Sequence, residues 1–282
     1  MKIGYTSQAP VIERNQNTVS LDCGALGCLT VPVAEAEHAA PGDSLSVFIH
    51  TDAQGNPLAS AVKPYVQRDE CASLKVVDVS NAGVFLDWGL SKNLLLPYAE
   101  QRRPLKVDQY ECVLVYLDNS GRLAASSRLD HHLPDTASDY RPWQQVNLLI
   151  FQRTSLGLKA VVEHRHVGLL YKDEIFTNVR LGQTHQGYVK RLRHDGRIDL
   201  SLQPPSKQLQ PELTDRVLAY LHENKGKCKL SDHSTPEEIQ AVFQVSKKNF
   251  KRAISSLYKQ RRITIETDHI ILNEDQKQSD SS

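Results

Sequence analysis

The sequence predicts a multidomain, mainly β chain: three small barrels in tandem, then a helical domain that ends in a β-ribbon. Three observations predict it. The first is a repeat, in which Leu86-Asp87-Trp88-Gly89-Leu90-Ser91-Lys92-Asn93-Leu94-Leu95-Leu96-Pro97 echoes Leu21-Asp22-Cys23-Gly24-Ala25-Leu26-Gly27-Cys28-Leu29-Thr30-Val31-Pro32 at a constant offset of 65 residues. A repeat without insertion or deletion decides the architecture before any local reading does. The second is a series of short β-rich runs, separated by Gly, Pro, Asn and Asp turns, that continues to Pro205. The third is a change from period two to helical period after Pro204-Pro205-Ser206.

The first unit spans residues 1–63. Thr18-Val19-Ser20-Leu21 alternates as a strand does, Gly42-Asp43 breaks the chain, and Ser44 to Ile49 is a second apolar strand. Asp52-Ala53-Gln54-Gly55-Asn56-Pro57 reads as a hairpin turn in which Gly55 supplies positive φ, and Leu58-Ala59-Ser60 returns from it. The second unit spans 64–136. Ser73 to Val79 is β-rich, Asn81-Ala82-Gly83 turns, and Val84 to Trp88 is the next strand; Gln109 to Leu117 follows a polar segment. Its closing hairpin, Asp118 to Ser126, carries Gly121 66 residues after Gly55.

Residues 134–142 are polar and contain two prolines, the composition of a linker. The third unit spans 137–205. Its strands are Val146 to Phe151, Gly157 to Val162, Gly168 to Tyr171, and Gly182 to Lys190, and it closes on Asp195 to Leu202. Five short strands per unit is the content of one small barrel.

The last domain spans 206–274. Pro211 to Asn224 places Leu213, Val217, Leu218 and Leu221 on one helical face. Thr235-Pro236-Glu237-Glu238 is a helix start: Thr235 caps, Pro236 fits the first helical position, and the glutamates suit the N-terminal dipole. Ile239, Val242 and Phe243 form that helix's inward side, Gln244-Val245 turns, and Ser246 caps a third helix to about Gln260 with Phe250, Ile254 and Leu257 inward. Ile263 to Leu272 reads as a ribbon turning at Thr267-Asp268, which completes the winged-helix order. Residues 275–282 form a polar tail of disordered composition.

The third unit resembles an S1 RNA-binding domain. Gly157-Leu158-Lys159-Ala160-Val161, Gly168-Leu169-Leu170-Tyr171, Gly182-Gln183 and Gly196 to Leu202 follow the order of that domain's motifs. The second unit is similar through Gly83-Val84-Phe85 and its closing hairpin; the first is degenerate. Three S1-like, OB-type β-barrels followed by a winged-helix domain resemble the conserved virulence factor B family of bacterial S1 proteins. That resemblance implies RNA binding and a post-transcriptional or translational regulatory role. It also implies aromatic stacking on two neighbouring strands, and here the chain departs from the pattern. Phe85 alone keeps an aromatic in the second unit, Leu156 and Val161 replace aromatics in the third, and Tyr171 stands at the histidine position. Stacking is worth roughly 1–3 kcal/mol per base, so such loss weakens any single-barrel site.

The candidate RNA-binding residues follow. Phe85, Trp88, Tyr171 and Tyr188 are stacking candidates, and Lys190, Arg191, Arg193 and Arg197 form a basic hairpin at the end of the third barrel. The last helix and its exit carry Lys247, Lys248, Lys251, Arg252, Lys259, Arg261 and Arg262, seven cations with no acid between Phe243 and Arg262. Lys247 with Lys251 and Lys248 with Arg252 are i,i+4 like-charge pairs, which repel unless a polyanion neutralises them.

Bulk properties narrow the classes. The net charge of +1 leaves nucleic-acid binding to local patches. No apolar run approaches the roughly 20 residues of a membrane span, so no membrane partner is expected. Five cysteines without a paired framework fit a reducing cytoplasm. Neither Cys23 and Cys28 nor His164 and His166 has zinc-ligand spacing, and no phosphate-cradling or nucleophile motif occurs, so neither cofactor nor enzyme activity is expected. The reading is a non-catalytic RNA-binding protein that prefers single-stranded RNA over duplex, with DNA or the ribosome as the further partners to test. The alternatives are a winged-helix DNA-binding transcriptional regulator and a protein-interaction scaffold.

Overall fold

The computed structural model describes residues 1–273, with side chains of 206–211 left aside; the tail expected at 275–282 lies outside the described residues. Barrel 1 comprises β1 (Thr6–Arg14), β2 (Thr18–Asp22), β3 (Cys28–Pro32), β4 (Ser44–Thr51) and β5 (Pro57–Ser60). Barrel 2 comprises β6 (Cys71–Ser80), β7 (Gly83–Asp87), β8 (Leu94–Pro97), β9 (Tyr110–Leu117) and β10 (Leu123–Ser126). A short helix, α1 (Leu129–His132), leads to barrel 3: β11 (Gln144–Arg153), β12 (Gly157–Val162), β13 (His166–Tyr171), β14 (Thr184–Leu192) and β15 (Ile198–Ser201).

All three units share one strand order, third-second-first-fourth-fifth. In barrel 3 the fifth strand also pairs parallel with the third, Gly168 opposite Ile198 and Leu170 opposite Leu200, which closes the sheet. The copies match residue by residue. Thr18 faces Pro32, Gly83 faces Pro97, and Gly157 faces Tyr171. The first strand of each copy carries a bulge at the same place, between Val11 and Glu13, Val76 and Asp78, and Ile150 and Gln152. A bulge increases bend and twist, which lets one strand pair with both neighbours around a small barrel.

Strand β1 went unread in the sequence: its inward residues include only small Ala9 beside Val11, and Pro10 interrupts the run. The segment expected to be a linker is packed instead. Val167 N–H donates to Pro134 O at 2.8 Å, Ala137 N–H donates to Gly196 O at 2.9 Å, and Tyr140 is buried in the core of barrel 3.

Nor are the barrels independent modules. Phe48 of β4 sits in the core cluster of barrel 2. Between barrels 2 and 3, Cys71, Cys112 and Leu114 pack on Leu149, Phe151, Val161 and Val167, with Leu129 and Leu133 of the connection sealing the seam. Burial there pushes the thiols of Cys71 and Cys112 up to about 12 and about 11, which leaves them unreactive.

The winged-helix domain has its own core. It consists of α2 (Ser206–Glu223), β16 (Lys227–Cys228), α3 (Pro236–Phe243), α4 (Lys247–Lys259), β17 (Ile263–Ile265) and β18 (Ile270–Leu272). Helix α2 begins five residues before Pro211, because Pro205 and not Pro211 precedes its first turn. Leu213, Val217, Leu218 and Leu221 are buried as expected. Thr235 and Glu238 form a reciprocal capping box on α3, and Gln244 takes left-handed φ in the turn that follows. Val242 does not face inward: it is 38% exposed, while Ile239 and Phe243 alone of that trio are buried. On a two-turn helix, Ile239 and Phe243 at i,i+4 already define the buried stripe. β16 pairs with β18 to widen the ribbon to three strands. This domain meets barrel 3 through polar contacts: Gln203 Nε2 to Gln244 O at 3.0 Å and Gln240 Nε2 to Ile175 O at 3.4 Å.

Candidate nucleic-acid interface

Helix α4 is built by strict segregation. Ser246 Oγ accepts from Asn249 N–H at its start, and Phe250, Ala253, Ile254 and Leu257 bury one face. The other face exposes Lys248, Lys251, Arg252, Ser255, Tyr258 and Lys259. Lys247 is half-buried and donates from Nζ to His233 O at 3.3 Å; Lys251 lies 3.8 Å from Asp232 at its margin. The exit is a Schellman turn: Arg262 N–H donates to Leu257 O at 3.0 Å and Arg261 N–H to Tyr258 O at 2.9 Å. Arg261 occupies the left-handed position, φ 57°, where glycine is the usual residue. The turn therefore aims exposed Arg261 and Arg262 beyond the helix end, continuing the basic face. Tyr258, 57% exposed in the midst of these cations, escaped the sequence reading because it breaks no pattern.

The basic hairpin of barrel 3 differs from α4 in that all four of its cations have carboxylate partners, whereas α4 shows one such pair among the described residues, Lys251 with Asp232. Arg191 Nε and Arg193 Nε lie 2.8 and 2.7 Å from the two oxygens of Asp199, a residue 2% exposed. Lys190 pairs with Glu174, and Arg197 lies 3.4 Å from Asp135 and 3.8 Å from Asp195. Arg193 also lies over the Tyr171 ring, 5.6 Å from its centroid, so the structure brings these two candidates together. Tyr188 is half-buried on β14, opposite Ser201, two residues before Lys190. Beside Arg193 and Arg197 runs a cleft of about 280 Å³, bounded by Asp135, Leu156, Lys159 and Leu169.

In barrel 2 the aromatic candidates Phe85 and Trp88 border one cleft but differ in exposure. Phe85 is half-buried and pairs across the sheet with Leu95, at a cleft that also includes His50, Lys92 and Asn93. Trp88 is 3% exposed and donates its indole N–H to Lys92 O at 2.6 Å. It is a core residue at the barrel 1–barrel 2 seam, not a stacking surface. An isolated tryptophan beside a loop gives no hint that another domain covers it.

Domain boundaries expose a signal hidden in the near-zero overall charge. Residues 1–63 hold three basic and six acidic side chains, and 64–136 hold eight and ten. Residues 137–205 hold ten and six, and 206–273 twelve and eight. The negative half and the positive half of the chain cancel. Among the described residues no group of His, Cys, Asp and Glu could hold a metal ion, and no helix is long and apolar enough to cross a membrane.

Comparison with known proteins agrees with this architecture. The family profile described as "S1 domain" matches residues 3–62 and 70–128, including the barrel read as degenerate, and the "CvfB-like winged helix domain" profile matches 215–272. The chain is 29% identical over 230 residues to YitL of Bacillus subtilis, covering 78% of this chain and 77% of that protein. It is 26% identical over 239 residues to conserved virulence factor B of Staphylococcus aureus, covering 82% and 80%. A crystal structure titled as a multidomain protein with nucleic acid binding domains from Streptococcus pneumoniae aligns with TM-score 0.44 at 22% identity, over 96% of this chain and 98% of that one.

Proposed function

We propose, from its S1 domains, its CvfB-like winged helix and its 26–29% identity to conserved virulence factor B and YitL, that this chain is a member of the conserved virulence factor B family and a non-catalytic, cytoplasmic RNA-binding protein. It acts in post-transcriptional or translational regulation and prefers single-stranded RNA. The observation that carries the reading is the exposed face of α4, where Lys248, Lys251, Arg252 and Lys259 lead into Arg261 and Arg262 with no acid in that stretch. Like charges held on one helical face are costly without a counter-anion, and a phosphate backbone supplies one at matching density. The S1 matches support nucleic acid as the ligand class. The excess of base over acid from residue 137 onward supports barrel 3 as the second contact, and Tyr258 and Tyr171 offer ring faces to unpaired bases.

Barrels 1 and 2 serve in this reading as a rigid mount. The test is a competition on the full chain. A labelled 20-nucleotide single-stranded RNA is bound, then challenged with duplex RNA and duplex DNA of the same sequence. The reading expects only single-stranded RNA to compete at stoichiometric levels. Stronger competition by duplex DNA would favour transcriptional regulation instead, a reading to which α4 lends itself because it stands where winged helices carry their recognition helix.

A further inference from the structure

The connection between barrels 2 and 3 is an acidic strap laid over the basic side of barrel 3. Its backbone is fixed to that barrel at three places: Val167 N–H to Pro134 O, Ala137 N–H to Gly196 O, and Trp143 N–H to Val189 O. Thr136 and Arg197 form a β-bridge within the same run. Tyr140, 5% exposed, anchors it further, with its hydroxyl 3.0 Å from His166 Nδ1.

Three carboxylates hang from this fixed strap, and each meets a different cation of barrel 3. Asp130 lies 2.8 Å from Lys159, Asp135 lies 3.4 Å from Arg197, and Asp139 lies 3.7 Å from Arg165. Asp135, Lys159 and Arg197 border the same 280 Å³ cleft. Asp199, Glu174 and Asp195, the other carboxylates paired with cations of this barrel among the described residues, belong to the barrel itself.

We propose that Asp130, Asp135 and Asp139 are specificity-determining carboxylates, held by the strap where the phosphates of a bound strand would lie. The proposal rests on the RNA reading above. These pairs are solvent-exposed, and exposed pairs are weak enough to exchange. A ligand with one phosphate gains a cation only by freeing a carboxylate beside it, which leaves little net attraction. A run of phosphates exchanges all three pairs in one event, and linkage of the contacts makes the gain multivalent. The strap thus sets a length threshold on the bound strand.

The test uses the full chain with D130N/D135N/D139N, and fluorescein-labelled single-stranded uridine oligonucleotides of 20 and 4 nucleotides as probes. Asparagine keeps each side chain's size, and a matched melting temperature checks the fold. At 50 mM salt the triple variant is expected to bind the 20-mer about tenfold tighter, and the 4-mer to gain the larger factor. For the 4-mer the slope of log affinity against log salt should steepen by about two, the value for three newly available cations on a single strand, whereas for the 20-mer, which already displaces all three carboxylates in the wild type, the slope should change little. D135N alone, which leaves every backbone anchor intact, should show about a third of the 4-mer's change in slope. Unchanged affinity and slope in both variants, with RNA still bound, would overturn the strap proposal and leave the RNA reading standing. Absence of RNA binding by the wild-type chain and by both variants would overturn the two together.

Discussion

The rings of Phe48 and Trp88 meet edge to face across the seam between barrels 1 and 2, with centroids 5.5 Å apart and planes at 84°. Each comes from a different S1 unit, and the contact joins their cores. Trp88→Ala should therefore cost about 3–5 kcal/mol, the range for a large aromatic lost from a core. Trp88→Phe, which keeps an aromatic against Phe48, should cost less. Urea unfolding followed by circular dichroism measures both; a cost below 1 kcal/mol for Trp88→Ala would show that the seam contributes little.

Gly83 and Gly157 occupy the same position in successive barrels, the first residue of β7 and of β12. A Cβ added to either would come within 2.3 Å of Leu96 O or 1.9 Å of Leu170 O, backbone atoms of the facing strand. Both also hold positive φ, 149° and 159°. Gly83→Ala and Gly157→Ala should each destabilise its barrel by more than about 2 kcal/mol, since backbone must move to admit the methyl. Thermal melts of the two variants check this, with Gly121→Ala as comparison, because a Cβ there meets nothing within 4 Å.

These glycines show how much of the fold was legible and what hid the rest. The repeat, the turns, the capping box at Thr235 and the helix-to-ribbon order at the end are local, and each was readable where it stands. The seams were not, although they left a trace. Strand β4 is buried continuously from Val47 to Thr51, and β11 from Leu148 to Phe151, where a half-exposed strand alternates. Both faces are covered because a neighbouring barrel lies on the outside. The candidate site divides the same way. The α4 cations were legible because one helix presents them. The pairing of Arg191 and Arg193 with Asp199, and of Arg197 with Asp135, was not, because it depends on strand register and on the path of the strap.

Acid should loosen the barrels at two histidines. Burial holds His50 below the ordinary imidazole range, and Lys92 adds to the effect. Burial likewise lowers His166, whose ring faces the Tyr140 hydroxyl, with Arg165 lowering it and Asp139 opposing. Both rings are neutral in the folded state and bind protons more readily when unfolded. Their contribution is thus complete above the unfolded value of about 6.5 and is lost as pH falls from there through the folded values. Melting temperature should decline from pH 7.5 to pH 5, and His50→Gln with His166→Gln should flatten that decline. An equally steep decline in the double variant would assign it to other groups.

Arg261 places a charged residue where the helix end favours glycine. Its left-handed φ costs about 1–2 kcal/mol for a residue with a Cβ. Arg261→Gly should raise stability by about 1 kcal/mol and weaken RNA binding, because it removes strain and a cation together. Arg261→Lys should leave both nearly unchanged. Unfolding and binding measured on the same samples separate the two effects; a glycine variant that gains stability and keeps full affinity would remove Arg261 from the interface.

The basic helix itself gives the sharpest test. Lys248→Gln, Lys251→Gln and Arg252→Gln together remove three charges from the exposed face while leaving Phe250, Ala253, Ile254 and Leu257, which hold α4 in place, untouched. For a single strand each phosphate contact contributes about 0.7 to the salt slope, so the triple variant's slope should be shallower by about two. With six or so cations engaged, wild-type affinity should fall by about three orders of magnitude between 50 and 200 mM salt, and the variant's by much less. The two curves should therefore converge at high salt, where the electrostatic contribution vanishes for both. Parallel curves, displaced but equal in slope, would mean that these residues act through the fold of the domain and not through phosphate, and an affinity independent of salt in the wild type would remove α4 as an RNA-binding face altogether.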